Sequence, residues 1–207
     1  MRGPAAPGWL FIALLVGVTG CGDRSTDGAS PRAADTSSAT TTSTPTATNT
    51  DRPPASVGPF PADTSADDGG HGSGNGLGLT GVRVARHPDF DRVVFDLGGT
   101  GTPGWHVEYT GRPRADGSGD PVKLRGTVYL QVVLRGMGLP YDTGVTPDGD
   151  STTRIPGTGT QGIAEIAPGG VFEGDQQAFI GLTGDRRPFR AFALAHPTRV
   201  VVDVQHN

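Results

Sequence analysis

One phrase occurs twice in this chain of 207 residues, and it restricts the fold more than any other feature. The first copy reads Val82-Arg83-Val84-Ala85-Arg86-His87-Pro88, passes through Asp89-Phe90, and ends Asp91-Arg92-Val93-Val94-Phe95-Asp96-Leu97. The second reads Phe192-Ala193-Leu194-Ala195-His196-Pro197, then Thr198-Arg199-Val200-Val201-Val202-Asp203-Val204. Each is an alternating segment, a His-Pro bend and an Arg-Val-Val-x-Asp-x strand. Proline fixes φ and donates no N–H, so it marks where a paired strand must stop. Side chains alternate along a strand, which puts Val93, Phe95 and Leu97 on one face and Arg92 and Asp96 on the other. Val200, Val202 and Val204 divide from Arg199 and Asp203 in the same way. Two similar hairpins, one from each end of a single stretch, suggest a domain with a pseudo-symmetric pair of sheets.

The period of two continues between the copies. Val122, Leu124, Val128, Leu130, Val132 and Leu134 share one parity, while Lys123, Arg125, Thr127, Gln131 and Arg135 share the other. That pattern predicts one long strand with a wet face, interrupted at Gly126. Trp105, Val107 and Tyr109 give another run, and Ala178, Ile180 and Leu182 a further one. Gly- and Pro-rich stretches separate them at 98–104, 111–121, 136–162 and 181–188. No amphipathic helix of useful length is present, and 162–167 reads at most as a turn of helix. About seven or eight strands follow, and the predicted fold is all-β, a pseudo-symmetric two-sheet β-sandwich.

Composition sets the boundary of this domain. Between Gly22 and Gly76 the only large apolar residues are Val57 and Phe60. Such a segment buries too little apolar surface to offset its ordering entropy, so 21–76 reads as a disordered Thr/Ser/Pro/Ala/Gly-rich linker and 77–207 as the folded domain. The linker carries three Arg and seven Asp, whereas the domain is close to neutral. A near-neutral domain lacks the basic field that collects phosphates, which argues against nucleic acid as partner.

Cys21 is the single cysteine, so no disulfide forms within the chain. Arg2 supplies a positive start, Trp9 to Val18 an apolar run, and Val18-Thr19-Gly20-Cys21 small residues ahead of a thiol. The run is too short to span about 30 Å of hydrocarbon. The pattern resembles a bacterial lipobox, which makes 1–20 a lipoprotein signal peptide and Cys21 the lipidated residue. Two acyl chains hold a protein stably at a membrane, so the expected location is the extracytoplasmic side of the cell membrane. A flexible linker of this length has a root-mean-square span of roughly 40 Å. Its Thr content also suits O-glycans.

Catalytic constellations are weak. Ser118, between Gly117 and Gly119, lacks the strand-elbow-helix context of a hydrolase nucleophile and reads as a polar loop. The five histidines have no metal-ligand spacing, and His87 and His196 each precede Pro in a bend. Asp142 with Asp148-Gly149-Asp150-Ser151 lacks the EF-hand pattern. The pairs Asp89/Asp91 and Glu173/Asp175 read as polar loops. No catalytic residue, metal or cofactor is therefore expected. Binding chemistry is better represented: arginine forks suit carboxylates and aromatic faces cover sugar rings. The candidate ligand-binding residues are Arg83, Arg86, Arg92, Trp105, Tyr109, Arg187 and Arg190. Each has a structural alternative. For Arg92 and Arg199 it is cross-strand pairing with Asp, and for Trp105 and Tyr109 it is core packing.

The order of these segments resembles the AMIN-like domain, a relative of the AMIN domains of bacterial envelope proteins, in a form typical of actinobacterial lipoproteins. The residues that carry the likeness are Val82 to Phe95, Gly104-Trp105-His106-Val107-Glu108-Tyr109, Phe179-Ile180-Gly181-Leu182, and Arg187-Pro188-Phe189-Arg190-Ala191-Phe192 through Val204. The resemblance implies a sandwich of two pseudo-symmetric sheets that localises proteins in the envelope by binding peptidoglycan. It leads to a non-catalytic, membrane-anchored domain whose partner is peptidoglycan. The alternatives are a scaffold that binds envelope proteins through a sheet edge and an unrecognised hydrolase.

Overall fold

Stretches such as Val200-Val201-Val202 favour strands because branched side chains restrict χ1 and pack well on a pleated surface. They form strands in the computed structural model, which describes residues 60, 63–147 and 153–207. Cys21, the apolar run before it, most of the linker and Asp148-Gly149-Asp150-Ser151 lie outside the described residues.

The elements are β1 (Asp67–Asp68), β2 (Leu77–Arg86), β3 (Phe90–Gly99), β4 (Gly104–Thr110), β5 (Val128–Arg135), α1 (Pro140–Thr143), β6 (Ile155–Pro156), β7 (Ile163–Phe172), β8 (Asp175–Leu182), β9 (Phe189–Leu194) and β10 (Arg199–Gln205). They make two antiparallel sheets, one of six strands ordered β1-β4-β5-β8-β7-β6 and one of four ordered β2-β3-β10-β9. The expected all-β two-sheet sandwich is the observed architecture. Its core holds Val93, Phe95, Val200 and Val202 from one sheet and Val107, Leu130, Val132 and Ile180 from the other, all fully buried. Each such side chain contributes roughly 1.5–3 kcal/mol by leaving water.

The duplicated hairpins are β2-β3 and β9-β10, and they lie side by side in the four-stranded sheet. Val94 faces Val201 at the centre of the β3–β10 pair. Pairing runs outward from there, so that Arg92 lies opposite Asp203 and Asp96 opposite Arg199. The symmetry of the domain thus acts within this sheet, about an axis between β3 and β10. Both His-Pro steps fall in the bends, and the His196–Pro197 bond is cis.

Three segments differ from their sequence reading. Val122 and Leu124 are not part of a strand, since β5 starts at Val128. Gly126 has φ 137°, a conformation that breaks the strand path. Residues 111–127 instead form a strap over the outer face of the six-stranded sheet. Arg125 N donates to Glu165 Oε2 at 2.9 Å, and the Arg125 carbonyl packs on Gly181, where a Cβ would come within 1.9 Å of it. Residues 163–167 open strand β7 rather than a helical turn, because β8 supplies their backbone partners.

The third segment is 63–76. It reads as the end of the linker, yet β1 pairs with β4. Asp67 Oδ1 accepts from the Trp105 indole N–H at 3.1 Å, and Oδ2 accepts from Ala191 N at 2.7 Å. Two carboxylates hold this edge without large apolar side chains. Asp68 accepts from Gly70 N at 2.8 Å and pairs with His106 and Arg135 at 3.0 Å each. The Gly70 N–H, then His106 and Arg135, lower its pKa to about 2. A carboxyl with a depressed folded pKa stabilises the fold above its unfolded value of about 4. That contribution fades as pH falls from about 4 toward about 2. Thermal midpoints measured across this window should fall less steeply in Asp68→Asn than in the parent; identical slopes would overturn the assignment.

Candidate functional site

Strand alternation puts one set of β3 and β10 side chains in the core and sends the other to the opposite face of the four-stranded sheet. That outer face carries Arg83 from β2, Arg92 and Asp96 from β3, Arg199 and Asp203 from β10, and Arg190 from β9. Among the described strand residues on this face, four guanidinium groups stand against two carboxylates.

The centre is dry. Arg92 and Asp203 are 1% and 0% exposed. Arg92 Nε donates to Asp203 Oδ1 at 2.6 Å and Nη2 donates to Oδ2 at 2.9 Å, a bidentate fork. Arg190 adds a third donor, with Nε to Oδ2 at 3.0 Å. The Arg92 guanidinium lies 5.1 Å from the Phe90 ring and 5.5 Å from Phe192. Arg190 lies 4.4 Å from Phe60, which joins the same cluster through a 5.7 Å contact with Phe90. Cations over ring faces add to the ion pair in such partly desolvated settings. Val94, Val201 and Phe192 form a second apolar cluster between the charges.

The wet end belongs to Arg83. Its side chain is 51% exposed, and it grips Asp96 with Nε to Oδ2 at 2.7 Å and Nη2 to Oδ1 at 2.9 Å. The two carboxylates thus have parallel arrangements, each held by an Arg from its own hairpin and faced by an Arg of the other. This is the cross-strand pairing that the Arg-x-x-x-Asp spacing encodes.

The remaining candidates are spread around the fold. Arg86 donates to Gln161 Oε1 at 3.0 Å, at the end of β2. Trp105 and Tyr109 face the core side of β4 and pack against it. The Tyr109 hydroxyl donates to the Arg187 carbonyl at 2.8 Å and accepts from Arg187 N at 2.9 Å. Burial pushes its phenol pKa up, partly opposed by Arg187. Arg187 is itself buried, donates to the Thr183 carbonyl, and leaves Nε without a partner among the described residues. The structure therefore gathers Arg83, Arg92 and Arg190 on one face and keeps Arg86, Trp105, Tyr109 and Arg187 apart from it.

Asp91 reads as a polar loop residue in the sequence, but it belongs to β3 and is buried. Asp91, 1% exposed, accepts from Gln161 N at 2.9 Å, Gly162 N at 2.6 Å and His206 Nε2 at 2.9 Å. Its partners are mostly backbone groups far along the chain, which leave no sequence signal. Phe60, Phe90 and Phe192 were not singled out, although two of them lie inside or beside the repeated phrase. His87 stacks on Phe90 at 4.5 Å and 16°, which fits its place in the bend. Among the described residues no three of His, Cys, Asp and Glu gather closely enough to hold a metal ion.

Comparison with known proteins follows the same limits of chain. A family model described as the AMIN-like domain matches residues 77–206. No curated protein and no solved structure matches the chain.

Proposed function

The chain belongs to the AMIN-like domain family, and from that membership we propose that it is a non-catalytic envelope-binding protein that holds peptidoglycan. The observation that carries this reading is the arginine and phenylalanine face of the four-stranded sheet. A sugar-peptide polymer offers carboxylates to guanidinium forks and apolar ring faces to aromatics. Arg83 is the accessible cation on that face. The buried Arg92–Asp203–Arg190 group behind it holds the strands in register.

We place the domain on the extracytoplasmic side of the cell membrane, anchored by lipid at Cys21, with the linker setting its reach. The lipobox-like Val18-Thr19-Gly20-Cys21 supports this reading. A second reading, a scaffold for another envelope protein, draws on β2. That strand is ten residues long and ends its sheet; Leu77 at its start bridges Met137, and beyond that residue its pairing is with β3 alone among the described residues. An extended segment adds to such an edge.

One set of assays separates these outcomes. The full-length chain should sediment with purified cell wall at low salt, and Arg83→Glu should reduce the bound fraction several-fold. Absence of retention by the parent would overturn peptidoglycan binding. Capture of protein rather than glycan by a photo-crosslinker at Ala85 would favour the scaffold. Cys21→Ala should move the protein from the membrane to the soluble fraction, and unchanged retention would sink the lipid anchor.

A further inference from the structure

The strap of residues 111–127 and the β7–β8 hairpin enclose a cavity of about 280 Å³ on the outer face of the six-stranded sheet, remote in the topology from the arginine face. Its walls include Asp116 and Val122 from the strap, Phe172 and Gln177 from the hairpin, and Arg154 ahead of β6. We propose that this cavity binds a single pyranose ring of a glycan.

The lining of the cavity supports the assignment. Phe172 is 47% exposed, one of the few large apolar side chains so placed among the described residues. Its ring is held against Gly117, where an added Cβ would lie 3.0 Å from it. An aromatic face fixed at the lip of a cavity suits the C–H face of a sugar. Beside it stand an acceptor, a mixed group and a donor: the Asp116 carboxyl, the Gln177 amide and the Arg154 guanidinium. Hydroxyl groups both donate and accept, so a sugar rim uses all three.

Asp116 and Gln177 are preset by each other. Asp116 N donates to Gln177 Oε1 and Gln177 Nε2 donates to Asp116 Oδ1, each at 3.1 Å. Partial desolvation, then nearby Asp175, raises the Asp116 pKa, while the side chain keeps its contact with water. Size points the same way. Pockets for drug-sized ligands run from about 300 Å³ upward, so this one has room for about one ring.

The backbone is shaped to match. Register shifts between Pro168 and Val171, leaving Gly169 and Gly170 in a bulge along the cavity. Bulges re-aim side chains beside functional sites. An extended peptide fits less well. It would need an open strand edge, whereas this cavity lies on a sheet face whose strands are already paired.

The test is a titration of the isotopically labelled full-length chain, followed by NMR. Chitotriose is the saccharide probe and D-alanyl-D-alanine the peptide probe. Chitotriose should shift the Gly117, Gly169 and Gly170 amides saturably. Phe172→Ala and Asp116→Ala should each weaken it roughly tenfold. Phe172 is half exposed, so its loss leaves the fold intact, which unchanged amide dispersion will verify. Saccharide shifts at Gly117, Gly169 and Gly170 with none at the β2 amides around Arg83 would assign binding to the cavity, so the cavity and the arginine face stand or fall separately. No shift with chitotriose, undiminished parental affinity in both cavity variants, or a response to the dipeptide alone would overturn the proposal.

Discussion

Asp203→Ala should lower the stability of the domain by about 3–5 kcal/mol, the usual cost of removing one partner from a buried charge group. Asp203 is wholly buried and serves two cations, Arg92 and Arg190. Its loss removes the bidentate partner of Arg92 from a dry site beside Phe90 and Phe192, and takes a carboxylate from Arg190, whose side chain is 15% exposed. Water cannot reach Arg92 to replace the carboxylate, because that side chain is 1% exposed. By the scaling for domains of this size, the thermal midpoint should drop by roughly 10 °C. Arg92→Met should cost less, because Asp203 keeps Arg190. Urea unfolding of both variants checks the order, and a loss under about 1 kcal/mol in Asp203→Ala would mean that the pair adds little.

Asp91→Ala is expected to have the next largest effect, about 2–4 kcal/mol. The carboxylate is the meeting point of three parts of the chain: the start of β3, the 160–162 turn and the segment after β10. Removing it orphans Gln161 N and Gly162 N and releases His206. A buried donor left without an acceptor carries its full desolvation cost. Hydrogen exchange should show faster exchange at Gln161 and Gly162 first, with the core strands protected until global unfolding. Uniform loss of protection would instead mean that Asp91 supports the whole sheet.

The repeated phrase made the two hairpins legible, but it pointed to a pair of sheets, whereas both copies lie in one four-stranded sheet. Its spacing encodes both strand alternation and the Arg92–Asp203 pairing, since a shared motif paired antiparallel about its middle residue brings each Arg to the other's Asp. What the sequence hid is non-local. Val122 and Leu124 have strand parity, but they serve as apolar contacts of a strap, and parity alone does not distinguish the two uses. Asp67 and Asp68 sit in a segment poor in apolar residues, where composition signals linker. Their docking depends on Trp105, Ala191 and Arg135, distant in sequence. The candidate arginines divided by burial, which a one-dimensional pattern does not report. Arg83 and Arg92 look alike in the sequence, and only the sheet shows one exposed and the other sealed. The cavity beneath the strap was illegible for the same reason, because Asp116 and Gln177 meet across 61 residues.

The position of β10 has a consequence for the order in which the chain folds. It is the last strand in sequence, yet it sits between β3 and β9 in the interior of its sheet. The Arg92–Asp203 fork joins residues 111 positions apart. Loop-closure entropy has to be met before such a contact gives anything back, so folding by this route is intrinsically slow. Until β10 arrives, β3 has a bare edge and half of its sheet is missing. β10 therefore closes the sheet late: it covers the bare edge of β3 and joins the two hairpins into one four-stranded sheet.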